Sequence, residues 1–206
     1  MTPIGLTATE LTDIQQLNRA FLRLVRAEPE IARPIAAGLP PALAARFAAG
    51  ELTDTLLGDP VSFLLFEVAL PAAPSPATAL FRASPAAIEL GLLALGFMQR
   101  LGRREQFAVR VCAGLTNDEL ERLLGATVND FGRLVRSVEQ PVTPALCQPA
   151  FLWPTLLTAA ANADGQRLKT LFALGHQHRL HRLMEPVVPQ RRAARAIGVA
   201  ERISER

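Results

Sequence analysis

The residues with the most distinctive chemistry are three histidines in one short segment, His176, His178 and His181. Histidine binds zinc in many proteins, and a structural zinc site needs four converging ligands. On a helix that turns about 100° per residue, His176 and His178 project from nearly opposite sides, and only His178 and His181 can share a face. No cysteine or carboxylate pair lies nearby in the sequence. We therefore predict solvated histidines at a basic helix end, with no metal and no cofactor.

The sequence contains none of the common enzyme motifs. It has no glycine-rich phosphate loop, nucleophile elbow or metalloprotease helix motif. The carboxylates of Asp118, Glu119 and Glu121 stand at the start of a predicted helix, where they complement the helix dipole. The two cysteines, Cys112 and Cys147, are too few for a disulfide framework or a four-cysteine zinc site, and we expect both to be reduced. We predict that the protein is not an enzyme.

A group of arginines and asparagines could contact nucleic acid. If residues 128–138 form a recognition helix, its groove-facing side chains would be Asn129, Arg133 and Arg136, which would read base edges. The predicted phosphate contacts are Arg103, Arg104, Asn117, Arg191, Arg192 and Arg195. Asp130 and Gly132 count against this interpretation, because a recognition helix usually carries more donors and no acid facing the polyanion. The alternative is a packed three-helix domain without groove contacts.

Residues 104–136 would position these side chains. They read as a helix, a turn at Gly114 and two more short helices, which is the helix-turn-helix pattern. Thr116 and Glu119 have the spacing of a capping box at the start of the second helix. The apolar positions predicted to form a small three-helix core are Phe107, Val111, Leu115, Leu120, Leu123, Leu124, Phe131, Leu134 and Val135.

Two long helices are predicted outside this unit. A capping box at Thr7 and Glu10 precedes residues 11–25, whose apolar positions recur at helical spacing. Ser84 and Pro85 begin a helix over residues 84–101 that is apolar nearly all round and must be buried in its own domain or in a partner.

The outer face of the first long helix carries a stripe of Arg19, Arg23 and Arg26. We interpret this stripe as a solvated face rather than a phosphate-binding one, since charged outer faces are usual for surface helices.

We predict an all-α protein that consists of two small helical halves of similar architecture. The remaining segments mark the boundaries within it. Pro34 and the run 38–41 separate short segments before a predicted helix at 42–49, and the apolar run 61–68 is too short to distinguish a strand from a helix. We predict further helices at about 155–163 and 166–184. The predicted domains are residues 1–70, a Pro/Ala-rich linker at 71–83, residues 84–185 and a basic tail at 186–206.

Composition places few further limits on function. The formal net charge is +3, and the positive charge is almost entirely arginine, which matches phosphates and guanine edges but can also reflect a GC-rich coding bias. No apolar run approaches the roughly 20 residues of a membrane span, and the N-terminus lacks a signal-peptide pattern. We expect a cytoplasmic protein with no membrane span.

Several of these residues resemble a known family. Residues 10–22, the Gly38-Leu39 turn and the apolar run 63–66 resemble the flagellar transcriptional activator FlhD. Residues 88–96 and the stretch 113–120 resemble its partner FlhC, as do Pro141 and Trp153. The Ala-Gly-Leu turns at 37–39 and 113–115 also suggest a repeated architecture.

The stretch 114–125 is similar to the helix-turn-helix of LuxR-type regulators. Cys112 and Cys147 do not reproduce the zinc-binding cysteine cluster of FlhC, which puts any zinc-dependent role in doubt. The resemblance implies a DNA-binding transcriptional regulator of flagellar or secretion genes that acts as an oligomer.

Two functions follow as hypotheses. In the first, the protein regulates transcription, binds DNA through its second half and tail, and assembles with itself or a partner regulator through helices 11–25 and 84–101. In the second, it is an adaptor or scaffold of a type III secretion or flagellar apparatus. Exposed apolar surface on residues 61–70 and 84–101 would support the second hypothesis, because large apolar patches are usually interfaces.

Overall fold

The computed structural model describes residues 5–58, 61–70, 83–146 and 150–184, with the side chains of 182–184 excepted. Within these ranges the chain forms ten helices and one two-stranded sheet. The predicted all-α class is therefore confirmed. No helix in these ranges combines the length and apolar character that crossing a membrane requires.

The helices and strands are numbered in chain order. The helices are α1 Ala8–Ala27, α2 Pro29–Ala36, α3 Pro41–Ala49, α4 Thr53–Leu56, α5 Pro85–Arg104, α6 Gln106–Ala113, α7 Asn117–Gly125, α8 Val128–Arg136, α9 Leu152–Ala161 and α10 Gly165–Met184. The strands are β1 Phe66–Val68 and β2 Val142–Pro144.

Helices α1 and α5 begin at the residues that the sequence predicts. At α1, the Glu10 amide donates to Thr7 Oγ1 over 3.2 Å, and the Thr7 amide donates to Glu10 Oε2 over 2.7 Å. These two bonds complete the capping box. At α5, the Ala87 amide donates to Ser84 Oγ, with Pro85 in the first turn.

The helix α2 differs from the proline-based prediction of short broken segments. Pro29 lies in its first turn, where a missing amide hydrogen costs nothing. Pro34 lies inside the helix and removes one backbone donor. Ile31 and Ile35 are buried one turn apart, so packing stabilises a helix that local propensity disfavours.

Helix α5 is the scaffold of the second half of the chain. It runs antiparallel to α1, as two ion pairs show: Arg104 Nη2 lies 2.6 Å from Glu10 Oε2, and Arg100 Nη2 lies 2.6 Å from Asp13 Oδ2. Helices α6, α7 and α8 pack along α5. The two helices predicted to mediate assembly therefore pack against each other within the chain.

The apolar run 61–68, which the sequence left open, is an irregular segment that ends in β1. β1 pairs with β2 in antiparallel register, with Phe66 opposite Pro144 and Val68 opposite Val142. Leu64 and Leu65 are buried just before the strand. This segment therefore crosses the interior of the molecule instead of lying on its surface.

Both sides of the predicted linker contribute to one hydrophobic cluster. Helix α9 packs against α2, α3 and α4, and α1 packs against α5. The halves 1–70 and 84–185 share this core, and their status as separate domains stays a prediction. Residues 71–82 of the predicted linker and the tail 186–206 lie outside the described residues.

Candidate nucleic-acid interface

The three short helices of the predicted helix-turn-helix occur where the sequence places them. Gly114 ends α6 in the left-handed conformation, with φ of +72°. Thr116 caps α7: its hydroxyl accepts from the Glu119 amide over 3.3 Å, and its own amide donates to Glu119 Oε2 over 2.8 Å. The predicted turn and capping box are therefore confirmed.

Helix α8 begins with a second capping box, which was not predicted. Thr127 donates through its amide and its hydroxyl to Asp130 Oδ2, over 2.9 and 2.6 Å. These hydrogen bonds lower the pKa of Asp130 below its ordinary value, so the carboxylate stays ionised. The spacing Thr-x-x-Asp was the signal that could have revealed this role, which is to start the helix.

Gln99 of α5 holds the turn between α7 and α8. Its side-chain amide donates to the carbonyl oxygens of Leu123 and Ala126, over 3.1 and 2.7 Å. A single side chain thus satisfies two carbonyls at the end of α7 and attaches α8 to the scaffold. No sequence pattern marked Gln99, because its partners lie 24 and 27 positions away.

The three predicted base-reading side chains share the outward face of α8. Asn129, Arg133 and Arg136 are exposed, while Phe131 and Val135 are buried against the scaffold. At about 100° per residue, the three polar positions fall within roughly 60° of one another.

The negative charge of Asp130 opposes DNA contact less than the sequence suggests, since Asp130 lies about 90° around the helix from the centre of this face. The Arg133 side chain is 82% exposed, and its nearest charged partner is Asp130, with Nη1 4.0 Å from Oδ1. Most of the Arg133 guanidinium is therefore open to a ligand.

The predicted phosphate contacts divide into exposed and engaged side chains. Arg103 at the end of α5 and Asn117 at the start of α7 are exposed. Arg104 is engaged: it donates to both Glu10 carboxylate oxygens, over 3.0 and 2.6 Å, and to the Gly5 carbonyl over 3.0 Å. Arg191, Arg192 and Arg195 lie outside the described residues.

The end of α5 is some distance from the end of α8. Val135 packs against Gly91, twelve positions before Arg103 on the same helix. A helix rises 1.5 Å per residue, so Arg103 lies about 18 Å along α5 from that contact. The exposed Arg103 is therefore separate from the exposed pair Arg133 and Arg136, although α5 supports both sites.

Helices α7 and α8 are both packed on α5. Helices α7 and α8 each contact α5 more extensively than they contact each other. The shared support is therefore α5, and α8 is presented from it by Gln99 and the Thr127 cap.

The predicted three-helix core was wrong at Phe107, which is exposed. The inward face of α6 is formed by Ala108, Val109 and Cys112, and Phe107 points to the other side, where it is 63% exposed. Val128, at the start of α8, is also exposed and lies beside Asn129. The remaining predicted core positions are buried or half-buried.

The histidines differ from the prediction at one position. His178 and His181 are exposed, but His176 is half-buried, with its ring centroid 4.9 Å from that of Phe63. Burial lowers the pKa of His176, and the positive charge of Arg179 lowers it further. In the part of the chain that the structure describes, no three histidine, cysteine or carboxylate side chains are grouped as metal ligands.

Cys112 is a buried thiol that donates to the Ser62 carbonyl oxygen over 3.1 Å. Burial raises its pKa to about 12, so the unreactive thiol form dominates at neutral pH. Cys147 lies outside the described residues.

Two buried polar side chains have roles that no sequence pattern indicated. Asn18 donates to the Phe63 carbonyl over 2.9 Å and accepts from the Leu65 amide over 2.8 Å. Arg179 donates to the carbonyls of Leu64 and Cys112, over 2.9 and 3.2 Å, and to that of Ala113. Both side chains fix the interior segment against helices.

Comparisons of the chain with protein-family models, with curated proteins and with solved structures found no match. The resemblance to FlhD and FlhC therefore stays a prediction that rests on the residues named above.

Proposed function

We propose that this protein is a DNA-binding transcriptional regulator and that the outward face of α8 contacts the duplex. The observation that carries this proposal is the grouping of Asn129, Arg133 and Arg136 on one exposed face of a helix whose other face is anchored to α5. Three donors held on a rigid element suit the major groove, which admits an α-helix.

The chemistry of these side chains fits base recognition. Arginine donates two hydrogen bonds to the O6 and N7 atoms of guanine, and asparagine pairs with the N6 and N7 atoms of adenine. Arg103 and Asn117 would contact phosphates beside the groove. We leave Arg104 out of the interface, because Glu10 occupies its guanidinium. Arg191, Arg192 and Arg195 stay predicted phosphate contacts.

The resemblance to FlhD and FlhC gives this proposal its biological setting. It supports regulation of flagellar or secretion genes by an oligomer in the cytoplasm. Self-association would use surface that remains on α1 and α5 after their mutual packing.

Fluorescence anisotropy with labelled promoter duplexes at low salt tests the proposal. The wild-type chain should bind, and the double variant Arg133→Ala/Arg136→Ala should weaken binding to the preferred duplex by about 1–3 kcal/mol per lost base contact. Arg103→Ala should weaken all sequences alike and reduce the salt slope by roughly 1.

The matched control is Arg33→Ala/Arg46→Ala, which removes the same charge from exposed positions on α2 and α3. If the control weakens binding as much as the α8 variant does, the effect is one of net charge and the proposed interface is wrong.

A groove between α1 and α5 favours adaptor function as the second candidate. It has a volume of about 540 Å³, and its floor includes Leu17, Ala20 and Phe97. Leu93 at its edge is 56% exposed. The support expected from residues 61–70 was wrong, because Leu64, Leu65 and their neighbours are buried within the chain.

Sedimentation of Leu93→Asp tests the adaptor candidate. If the groove mediates self-association, this variant should dissociate the assembly while leaving the helical content unchanged. Leu174→Asp is the control, since Leu174 is an exposed leucine on α10 away from the groove. An identical sedimentation profile for wild type and Leu93→Asp would count against assembly through the groove.

A further inference from the structure

A second cavity lies between α1 and the turn that joins α3 to α4. It has a volume of about 310 Å³. It is lined by Arg19, Arg23, Arg26, Gly50, Thr53 and Asp54. We call it the arginine cavity, and none of the residues of the α8 interface belongs to it.

Three exposed arginines of α1 line this one cavity. Positions 19, 23 and 26 fall within about 60° of one another on a helix. Among the residues that the structure describes, none of the three arginines forms an ion pair with a carboxylate within 4.0 Å. This differs from Arg100 and Arg104 of α5, which both pair with carboxylates of α1.

The other residues that line the cavity are Gly50, Thr53 and Asp54. Gly50 ends α3 with φ of +85°, and the Arg26 guanidinium lies where a side chain at position 50 would project. The left-handed conformation favours glycine at this position, and the Arg26 guanidinium occupies the space that a side chain would take. Thr53 Oγ1 is buried and has no hydrogen-bond partner within the described ranges.

The charge of the cavity favours an anion. Among the described residues that line it, three arginines and the single carboxylate of Asp54 leave a net charge of +2. Neighbouring like charges repel one another, and a bound anion would relieve that repulsion. Guanidinium groups bind phosphate oxygens through paired hydrogen bonds.

We propose that the arginine cavity binds a phosphate-bearing small molecule with at least two negative charges. The volume is at the lower end of the range for ligand pockets, which suits a compact phosphorylated metabolite or a pyrophosphate group. Arg19, Arg23 and Arg26 supply the positive charge. Because Gly50 has no side chain, the Arg26 guanidinium fits against it. The site is independent of the DNA-binding proposal because its residues are on α1, on α4 and in the turn between α3 and α4.

Isothermal titration of the full chain with pyrophosphate, and separately with glucose 6-phosphate, tests the proposal. At least one of these probes should bind, and Arg23→Gln should lower its affinity roughly tenfold, since a charge-assisted hydrogen bond is lost. Asp54→Asn should raise the affinity, because it removes the only carboxylate that lines the cavity among the residues that the structure describes. Circular dichroism verifies that these surface variants fold.

Arg167→Gln is the matched control, since Arg167 is an exposed arginine on α10, outside both the cavity and the proposed DNA interface. Equal losses of affinity in Arg23→Gln and Arg167→Gln, or failure of both probes to bind, would overturn the proposal. A loss of duplex binding in Arg23→Gln without any binding of the small probes would also overturn it and would make the arginines DNA contacts. Failure of the α8 interface alone would leave probe binding intact.

Discussion

Asparagine and arginine occur in two regions of this molecule with opposite surroundings. Around residues 63–65, Asn18 and Arg179 are 0% and 5% exposed and bind backbone atoms. On the outward face of α8, Asn129 and Arg133 are exposed. The same residue types thus hold the interior together in one region and are open to solvent in the other.

The difference comes from what the backbone leaves unsatisfied. The last carbonyls of a helix have no partner within it, and the carbonyls of Cys112 and Ala113 at the end of α6 receive hydrogen bonds from Arg179. A positive charge also suits the C-terminal end of a helix. On the outward face of α8, Arg136 donates only to the Gly132 carbonyl of its own helix, over 3.5 Å, so the donors of this face contribute little to folding.

Removal of Arg179 should have the largest effect on stability. Arg179→Ala removes the donor of the Leu64 and Ala113 carbonyls, at about 1–3 kcal/mol each, while the Cys112 carbonyl keeps the Leu64 amide. We therefore expect a loss of about 2–6 kcal/mol in the free energy of unfolding. Urea denaturation measures this loss. Arg167→Ala, an exposed position on the same helix, should change stability by less than about 0.5 kcal/mol. If the two variants lost the same free energy of unfolding, the buried hydrogen bonds of Arg179 would not stabilise the fold as described.

Removal of Asn18 should have the next largest effect. Asn18→Ala breaks the bonds to Phe63 and Leu65 and should cost about 2–3 kcal/mol, measured in the same denaturation experiment. Asn129→Ala on α8 is the matched control, with an expected change of about 0.5 kcal/mol or less. An Asn18 variant as stable as wild type would show that the interior segment does not depend on this side chain.

His176 should give the inner region a pH dependence. Its pKa is lower in the folded chain than the ordinary value of 6.5, mainly through burial, so the unfolded chain binds more protons in the interval between the two values. Stability should therefore fall as the pH drops below about 6.5, by no more than about 1.4 kcal/mol per pH unit from this group.

Thermal melts across that interval measure the pH dependence. His176→Gln should weaken it, whereas His178→Gln, at an exposed position, should not. A pH dependence that His178→Gln alone abolishes would contradict the assignment.

The outward face of α8 should give the smallest effect on stability. Arg133→Ala/Arg136→Ala should leave the free energy of unfolding in urea within about 0.5 kcal/mol of wild type, because both side chains are exposed. A loss comparable to that of Asn18→Ala would place these arginines among the residues that hold the fold.

Local sequence signals predicted the parts of the fold that local interactions determine. Thr7, Ser84 and Thr116 marked helix starts correctly, because a cap and its partner lie three residues apart. The helix α2 was missed because the buried Ile31 and Ile35 outweigh the prolines, and packing is not visible in a local pattern. The phase of α6 was misjudged at Phe107 for the same reason.

The polar anchors could not be predicted, since their partners are distant in sequence. Asn18 and Leu65 are 47 positions apart, and Arg179 and Cys112 are 67 apart. Side chains whose partners are local were easier to place: Asn129, Arg133 and Arg136 share a face in the structure as their spacing predicts. The engagement of Arg104 by Glu10, 94 positions away, was likewise invisible.

The most direct test of DNA contact through α8 is an NMR titration of the labelled protein with a short promoter duplex. We expect the largest shift changes at the backbone amides of α8 and at the side-chain amide of Asn129, with smaller changes near Arg103 and Asn117. Changes confined to the groove between α1 and α5, or to the arginine cavity, would contradict the claim that α8 is the DNA-contacting surface.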